Sequence, residues 1–227
     1  MARSTLTGPL RALLAACALA CAMAQAQADP FTALGRTLQL EPPAGFCTLG
    51  DSAAEREFLA VRKRYAASYG ELAQFAVPCS ELAEIRAGRR DQFTRWAQVL
   101  VLPSNGQLVH YQRAEFVRQM ARRFTAAPPD SAALEARVRK DLEKSGTSFP
   151  VTNPSAQLLG ASPDAYYAEF RLTQQMDSGP QPTVGVSAIT TARQLPLGIY
   201  AYAFVGAPGE SAFETAQRYL RSVIARN

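Results

Sequence analysis

The chain has 227 residues, of which 48% are hydrophobic, and a formal net charge of +5 at pH 7. This balance is mildly basic and excludes the concentrated positive charge that is typical of a nucleic-acid-binding protein. No segment after residue 28 approaches the roughly 20 consecutive apolar residues that a membrane-spanning helix needs.

Residues 1–28 have the pattern of a secretory signal peptide. Two arginines give a basic start, an apolar run extends from Ala12 to Ala24, and Ala26-Gln27-Ala28 forms a small-x-small cleavage site. Cleavage there leaves residues 29–227, a length typical of one domain. Because the leader carries two positive charges, the mature net charge falls to +3. We therefore expect a single-domain protein that is periplasmic or secreted.

A lipoprotein signal is the alternative interpretation of the leader. Leu14-Ala15-Ala16-Cys17 has the order of a lipobox, and Ala18-Leu19-Ala20-Cys21 is a poorer version of it. Cleavage before Cys17 would leave an apolar core of five residues, shorter than the roughly seven that a signal requires. Export without lipidation is therefore preferred.

The mature chain would keep two cysteines, Cys47 and Cys79. An even pair in an oxidising compartment predicts a disulfide. A redox-active pair is the alternative, but the Cys-x-x-Cys spacing that is usual for such pairs does not occur after the leader. We expect a structural bridge that joins two neighbouring strand ends and closes over an intervening helix.

Hydrophobic periodicity predicts alternating strands and helices in the first half of the mature chain. Turn residues and capping patterns set the expected limits. The predicted elements are a strand at Phe31–Glu41, a helix over 53–69 with Ser52 and Glu55 as a capping box, a strand at Leu72–Val77, a short helix capped by Ser80 and ending at Gly88, a strand at Phe93–Leu102, and helices at Tyr111–Phe124 and Ser131–Lys144.

The second half changes to the period of two that is typical of strands. A loop at Thr147–Pro154 leads to Leu158-Leu159, strands at Tyr166–Thr173, Thr183–Thr191 and Leu197–Val205, and a final helix with Ser211 and Glu214 as a capping box. The strand at Leu197–Val205 is apolar on both faces and should be central. The short connections favour antiparallel pairing. The predicted class is α+β, with one mostly antiparallel sheet of about six or seven strands and helices packed on it.

Two segments and the C-terminus carry a family resemblance. Pro42-Pro43-Ala44-Gly45-Phe46-Cys47, Phe75-Ala76-Val77-Pro78-Cys79 and the terminal Ala225-Arg226-Asn227 resemble segments of exported proteobacterial proteins to which no function is assigned. The order of elements also resembles the Mog1/PsbP-like α/β/α sandwich. That resemblance implies a small adaptor or assembly protein without catalytic machinery.

Familiar catalytic patterns are absent from the sequence. His110 is the only histidine, so no histidine pair can bind a metal. Nucleophile-elbow, Ser-x-x-Lys, dinucleotide-binding and phosphate-loop motifs do not occur. The acidic pairs Glu55/Glu57, Glu81/Glu84 and Asp141/Glu143 lie beside basic residues and are interpreted as solvated ion pairs. The sequence therefore predicts no catalytic residue, cofactor or metal.

Arginines provide one hypothesis about a partner. Arg118, Arg122 and Arg123 lie in one predicted helix and would bind an anionic headgroup or an acidic partner, and Arg86, Arg89 and Arg90 would add to this surface if the two helices were adjacent. A solvated helix face is the alternative. The aromatic residues Tyr166, Phe170, Tyr200, Tyr202 and Phe204 either fill the core or line a ligand cleft.

The leading functional hypothesis is a non-catalytic exported module that binds a protein or an envelope component, but not nucleic acid. The alternatives are a hydrolase of unfamiliar type with His110 as its base, and a carrier of a small ligand in an apolar pocket.

Export without lipidation predicts that the mature protein begins at Asp29. Intact-mass measurement of protein recovered from the periplasm checks this expectation. An acylated N-terminal Cys17 or Cys21 would contradict it.

Overall fold

The computed structural model describes residues 29–127, 130, 132–133, 135–136, 139–140, 151–176 and 179–227. The predicted signal peptide, much of the helix predicted at Ser131–Lys144 and the segment 147–150 lie outside these residues.

Two sheets contain the strands of the described chain. The strands are β1 (Asp29–Ala33), β2 (Arg36–Leu40), β3 (Phe46–Thr48), β4 (Glu71–Pro78), β5 (Arg95–Val101), β6 (Val151–Ala161), β7 (Tyr166–Met176), β8 (Gly179–Ala192) and β9 (Leu195–Phe204). β1 and β2 form a hairpin, and the other seven form an open antiparallel sheet in the order β3-β4-β5-β9-β8-β7-β6. The α+β class, the antiparallel sheet and the central position of β9 are confirmed.

The structure corrects two strand predictions. Phe31–Glu41 is not one strand, because Leu34 and Gly35 both have positive φ (47° and 71°) and form the two-residue turn between β1 and β2. Part of the predicted loop at Thr147–Pro154 belongs to β6. Pro154 is accommodated because β6 is an edge strand whose register shifts between Thr152 and Ser155.

Apart from the helical residues 132–133, 135–136 and 139–140, the described part of the chain contains four complete helices: α1 (Ala53–Ala66), α2 (Cys79–Arg86), α3 (Arg113–Ala126) and α4 (Ala212–Arg226). The Ser211/Glu214 capping box of α4 is confirmed. At α1 only half of the predicted box forms: Ser52 accepts from the Glu55 amide at 3.1 Å, whereas the Glu55 carboxylate turns to Gly50 and Asp51. Ser80 is not a cap, since α2 begins at Cys79.

Helices cover both faces of the large sheet. One face packs against α4 and β2 through fully buried residues such as Val99, Ile199, Leu38 and Tyr219. The neighbouring residue on β5, Leu100, points to the opposite face, where α1 and α2 pack on the β4 side and α3 packs on β7 and β8. This second face is less completely covered.

The Cys47–Cys79 disulfide is confirmed. Cys47 lies on β3, opposite Val77 of β4, and Cys79 follows the end of β4 as the first residue of α2. The bridge spans 32 residues, and α1 lies within that loop.

Replacing both bridging cysteines by serine should lower the free energy of unfolding by about 3–4 kcal/mol, because the bridge no longer restricts the unfolded chain. Urea denaturation of the mature protein measures the loss, and reduction of the native protein should reproduce it. An unchanged unfolding midpoint in the double variant would contradict this prediction.

Candidate binding groove

A groove of about 610 Å³ opens on the second face of the sheet, between α1, α2 and the ends of β5, β7 and β9. We call it the aromatic groove, because it is lined by five aromatic side chains: Phe58, Phe75, Phe93, Trp96 and Phe204. Its volume is within the usual range of small-molecule sites.

The five rings form two packed groups. Phe58 contacts the edges of Phe75 and Phe93, with ring centres 5.5 and 5.9 Å apart. Trp96 packs edge-on against Phe204 at 5.8 Å and stacks on Tyr202 at 5.0 Å. Such pairs fix the ring positions beyond what burial alone would do. The groove wall is therefore preformed.

An ion pair joins the two helices that frame the groove. Glu55, at the start of α1, is 8% exposed and accepts hydrogen bonds from Arg86 Nε at 2.8 Å and from the amides of Gly50 and Asp51 at 2.9 and 3.1 Å. The hydrogen bond from Arg86 has the largest effect and lowers the pKa of the Glu55 carboxyl. Burial raises this pKa, whereas the amide hydrogen bonds lower it further, and the resulting pKa is about 2. Arg86 also pairs with Asp51 at 2.6 Å.

Arg62 is the cation of the groove wall that lacks a carboxylate partner. No acidic group in the described part of the chain lies within 4 Å of it, and it donates a 3.3 Å hydrogen bond to the side-chain oxygen of Gln98. Its Nε is inaccessible to solvent and has no acceptor among the described residues. The guanidinium lies 5.3 Å from the centre of the Phe75 ring and 5.5 Å from that of Tyr65. Burial lowers the pKa of Arg62, but an arginine stays charged in proteins.

A smaller pocket of about 160 Å³ lies beside the groove, and Gln98, Phe170, Tyr200 and Tyr202 contribute to its lining. Two glycines allow its rings to lie close to the sheet. A Cβ at Gly185 would be 2.0 Å from the Phe170 ring, and one at Gly198 would be 2.5 Å from the Tyr200 ring. Since Arg62 lines the groove and Gln98 lines the pocket, their hydrogen bond marks the boundary between the two cavities.

The structure separates the arginines that the sequence grouped together. Arg118, Arg122 and Arg123 are exposed on α3, where Arg118 pairs with Glu115. Arg86 and Arg90 form ion pairs around α2, at the other end of the sheet face. The surface of Arg118, Arg122 and Arg123 stays a prediction.

Two of the acidic side chains are not solvated, contrary to expectation. Glu55 is buried as described above. Glu81 is 5% exposed and accepts from both the amide and the hydroxyl of Thr94 at 2.7 Å. Both carboxylates have hydrogen-bond donors close in space, Arg86 for Glu55 and Thr94 for Glu81. Asp141 and Glu143 lie outside the described residues.

His110 is exposed in the loop between β5 and α3 and does not line the groove. Of the aromatic residues considered from the sequence, Phe204 lines the groove and Phe170, Tyr200 and Tyr202 line the smaller pocket. Tyr166 packs under α3.

Sequence reasoning missed Arg62, Trp96 and Phe93 as site residues. The available signal was helical spacing: Arg62 lies four residues after Phe58 and four before the buried Ala66, which places a cation on the face that α1 turns to the sheet. Trp96 and Phe93 carried no comparable signal, because their place in a groove depends on strands distant in the chain.

No family model matches the chain, and no curated protein matches it. Among the described residues, no helix is long and apolar enough to cross a membrane. The same residues contain no cluster of three or more His, Cys, Asp or Glu side chains that could hold a metal ion.

Glu55→Gln should lower the free energy of unfolding at pH 7 by about 1–3 kcal/mol, because Arg86 loses the buried one of its two charged partners. The folded pKa of Glu55 is about 2 and its ordinary value is 4.5, so its contribution is present above about pH 4.5 and is lost as the pH falls toward 2. Urea denaturation should therefore show a smaller difference between variant and native protein at pH 3 than at pH 7.

The control is Glu57→Gln, on the exposed side of the same helix, which should change stability by less than about 0.5 kcal/mol. An equal loss in both variants, or a loss for Glu55→Gln that does not depend on pH, would contradict the assigned role of Glu55.

Proposed function

We propose that this protein is a non-catalytic exported module that binds a component of the cell envelope, a protein or a lipid, through the aromatic groove. The observation that carries the proposal is the preformed apolar groove, whose wall contains a cation, Arg62, without a carboxylate partner in the described part of the chain. An apolar cleft with a few polar groups is the usual form of a binding site. The cysteine bridge supports export, since such bridges persist in oxidising compartments.

The fold supports the proposal in a second way. Helices on both faces of an antiparallel sheet are compatible with the resemblance to Mog1/PsbP-like adaptor proteins. The exposed arginines of α3 lie on the same side of the sheet as the groove and would provide a further contact to an acidic partner.

Photo-crosslinking in cells that export the protein tests the groove as its binding surface. A benzophenone amino acid replaces Phe58, which is 37% exposed on the groove, or Leu159, which is 41% exposed on β6. Light should produce adducts from position 58 and not from the equally exposed position 159. Equal adducts at both positions, or none at position 58, would overturn the proposal.

A further inference from the structure

The Arg62 side chain raises a problem of charge compensation. It belongs to a helix face that packs on the sheet, its Nε is screened from solvent, and no carboxylate among the residues that the structure describes pairs with it. Burial of an arginine without a counter-charge is costly. The rings of Phe75 and Tyr65 and the carbonyl oxygen of Gln98 compensate for only part of this cost. An anionic group in the groove would complete the compensation.

The other charges of the groove wall limit the ligand to one negative charge near Arg62. Arg86 is already paired with Glu55 and Asp51, so it is not available to a ligand. Asp91 and Glu55 also line the groove and would repel an additional negative charge. A monoanion fits this arrangement, whereas a dianionic phosphate monoester does not.

The geometry of the available donors favours a carboxylate. The two Nη groups of an arginine form a planar fork that matches the two oxygens of a carboxylate, and a ligand would meet Arg62 on this side because its Nε is inaccessible to solvent. The remaining lining is dominated by aromatic and aliphatic side chains, such as Phe58, Phe204 and Met176.

We infer that the aromatic groove binds a free fatty acid, with its carboxylate at Arg62 and its acyl chain against the aromatic rings. This inference rests on the proposed function and specifies the chemical class of its ligand. The aromatic rings of the groove exclude water from the acyl chain, and the arginine distinguishes an acid from a neutral amphiphile of equal length.

Trp96 is the only tryptophan of the chain and lines the groove, so its fluorescence reports binding directly. The native protein is titrated at pH 8 with saturated fatty acids of 8–14 carbons and with primary alcohols of the same lengths, below their micelle-forming concentrations. The acids should bind at least about tenfold more tightly than the matched alcohols, because a charge-assisted hydrogen bond forms only with the acid. Each added methylene should tighten binding about fourfold until the groove is filled.

Arg62→Met replaces the charged side chain by an apolar one of similar length. It should remove the preference for acids, so that the dissociation constants of acid and alcohol differ by less than about twofold. The substitution removes the cost of burying a charge that has no counter-charge among the described residues, and circular dichroism verifies the fold. The matched control is Arg64→Met, an exposed arginine of the same helix that does not line the groove, which should keep the native preference.

Equal binding of acid and alcohol by the native protein would overturn the inference, and this result requires no variant. A Trp96 response to phosphatidylglycerol vesicles without a response to fatty acids would also overturn it, in favour of a diacyl lipid. In either case, photo-crosslinked adducts at position 58 in cells would still support the envelope-binding function. Fatty-acid binding without adducts at position 58 would instead contradict the envelope-binding function alone.

Discussion

The central strand β9 has two apolar faces, and the rest of the structure depends on how each is covered. Leu197, Ile199 and Ala201 point toward α4 and are fully buried. On the other face, Tyr200 and Tyr202 are only partly buried, because α1 and α2 pack at one end of that face and α3 packs at the other. Burial of apolar surface is the dominant favourable term in folding, so a preformed and incompletely covered apolar face points to a ligand or partner.

Contacts between segments that are distant in the sequence fix the helices and strands around this face. The Cys47–Cys79 bridge fixes α2 to the edge of the sheet, and the Glu55–Arg86 ion pair fixes α1 to α2. On the far side, the hydroxyl of Tyr219 donates to Gln74, whose amide donates to the carbonyl of Leu40 at 3.2 Å. This buried network connects α4, β4 and β2. The groove is thus supported by covalent, ionic and hydrogen-bonded contacts that do not require a ligand.

Much of the fold follows from local patterns in the sequence. The period of two predicted β7, β8 and β9, and the capping box at Ser211 predicted where α4 begins. Two local errors had local causes: Leu34 adopts a left-handed conformation that a leucine rarely adopts, and Pro154 suggested a loop where an edge strand tolerates it.

The site was less predictable than the fold, because it depends on contacts between distant segments. Trp96 faces the groove only because β5 pairs with β9, which places Tyr202 opposite it. The basic residues near Glu81 in the sequence indicated a surface carboxylate, but the loop that leads into β5 places Thr94 over it. Arg62 had the clearest local signal, a cation on the buried face of a helix. Such a residue is a better indicator of a site than the aromatic residues beside it, because burial of aromatic rings needs no functional reason.

The central claim is that the Arg62 guanidinium and the aromatic groove form one site for an anionic acyl chain. A crystal structure of the complex with dodecanoate tests it most directly. We expect the acyl chain between the rings of Phe58 and Phe204, with a carboxylate oxygen about 2.7–3.0 Å from the Arg62 guanidinium. A chain bound outside the groove, or a carboxylate that faces solvent away from Arg62, would contradict it.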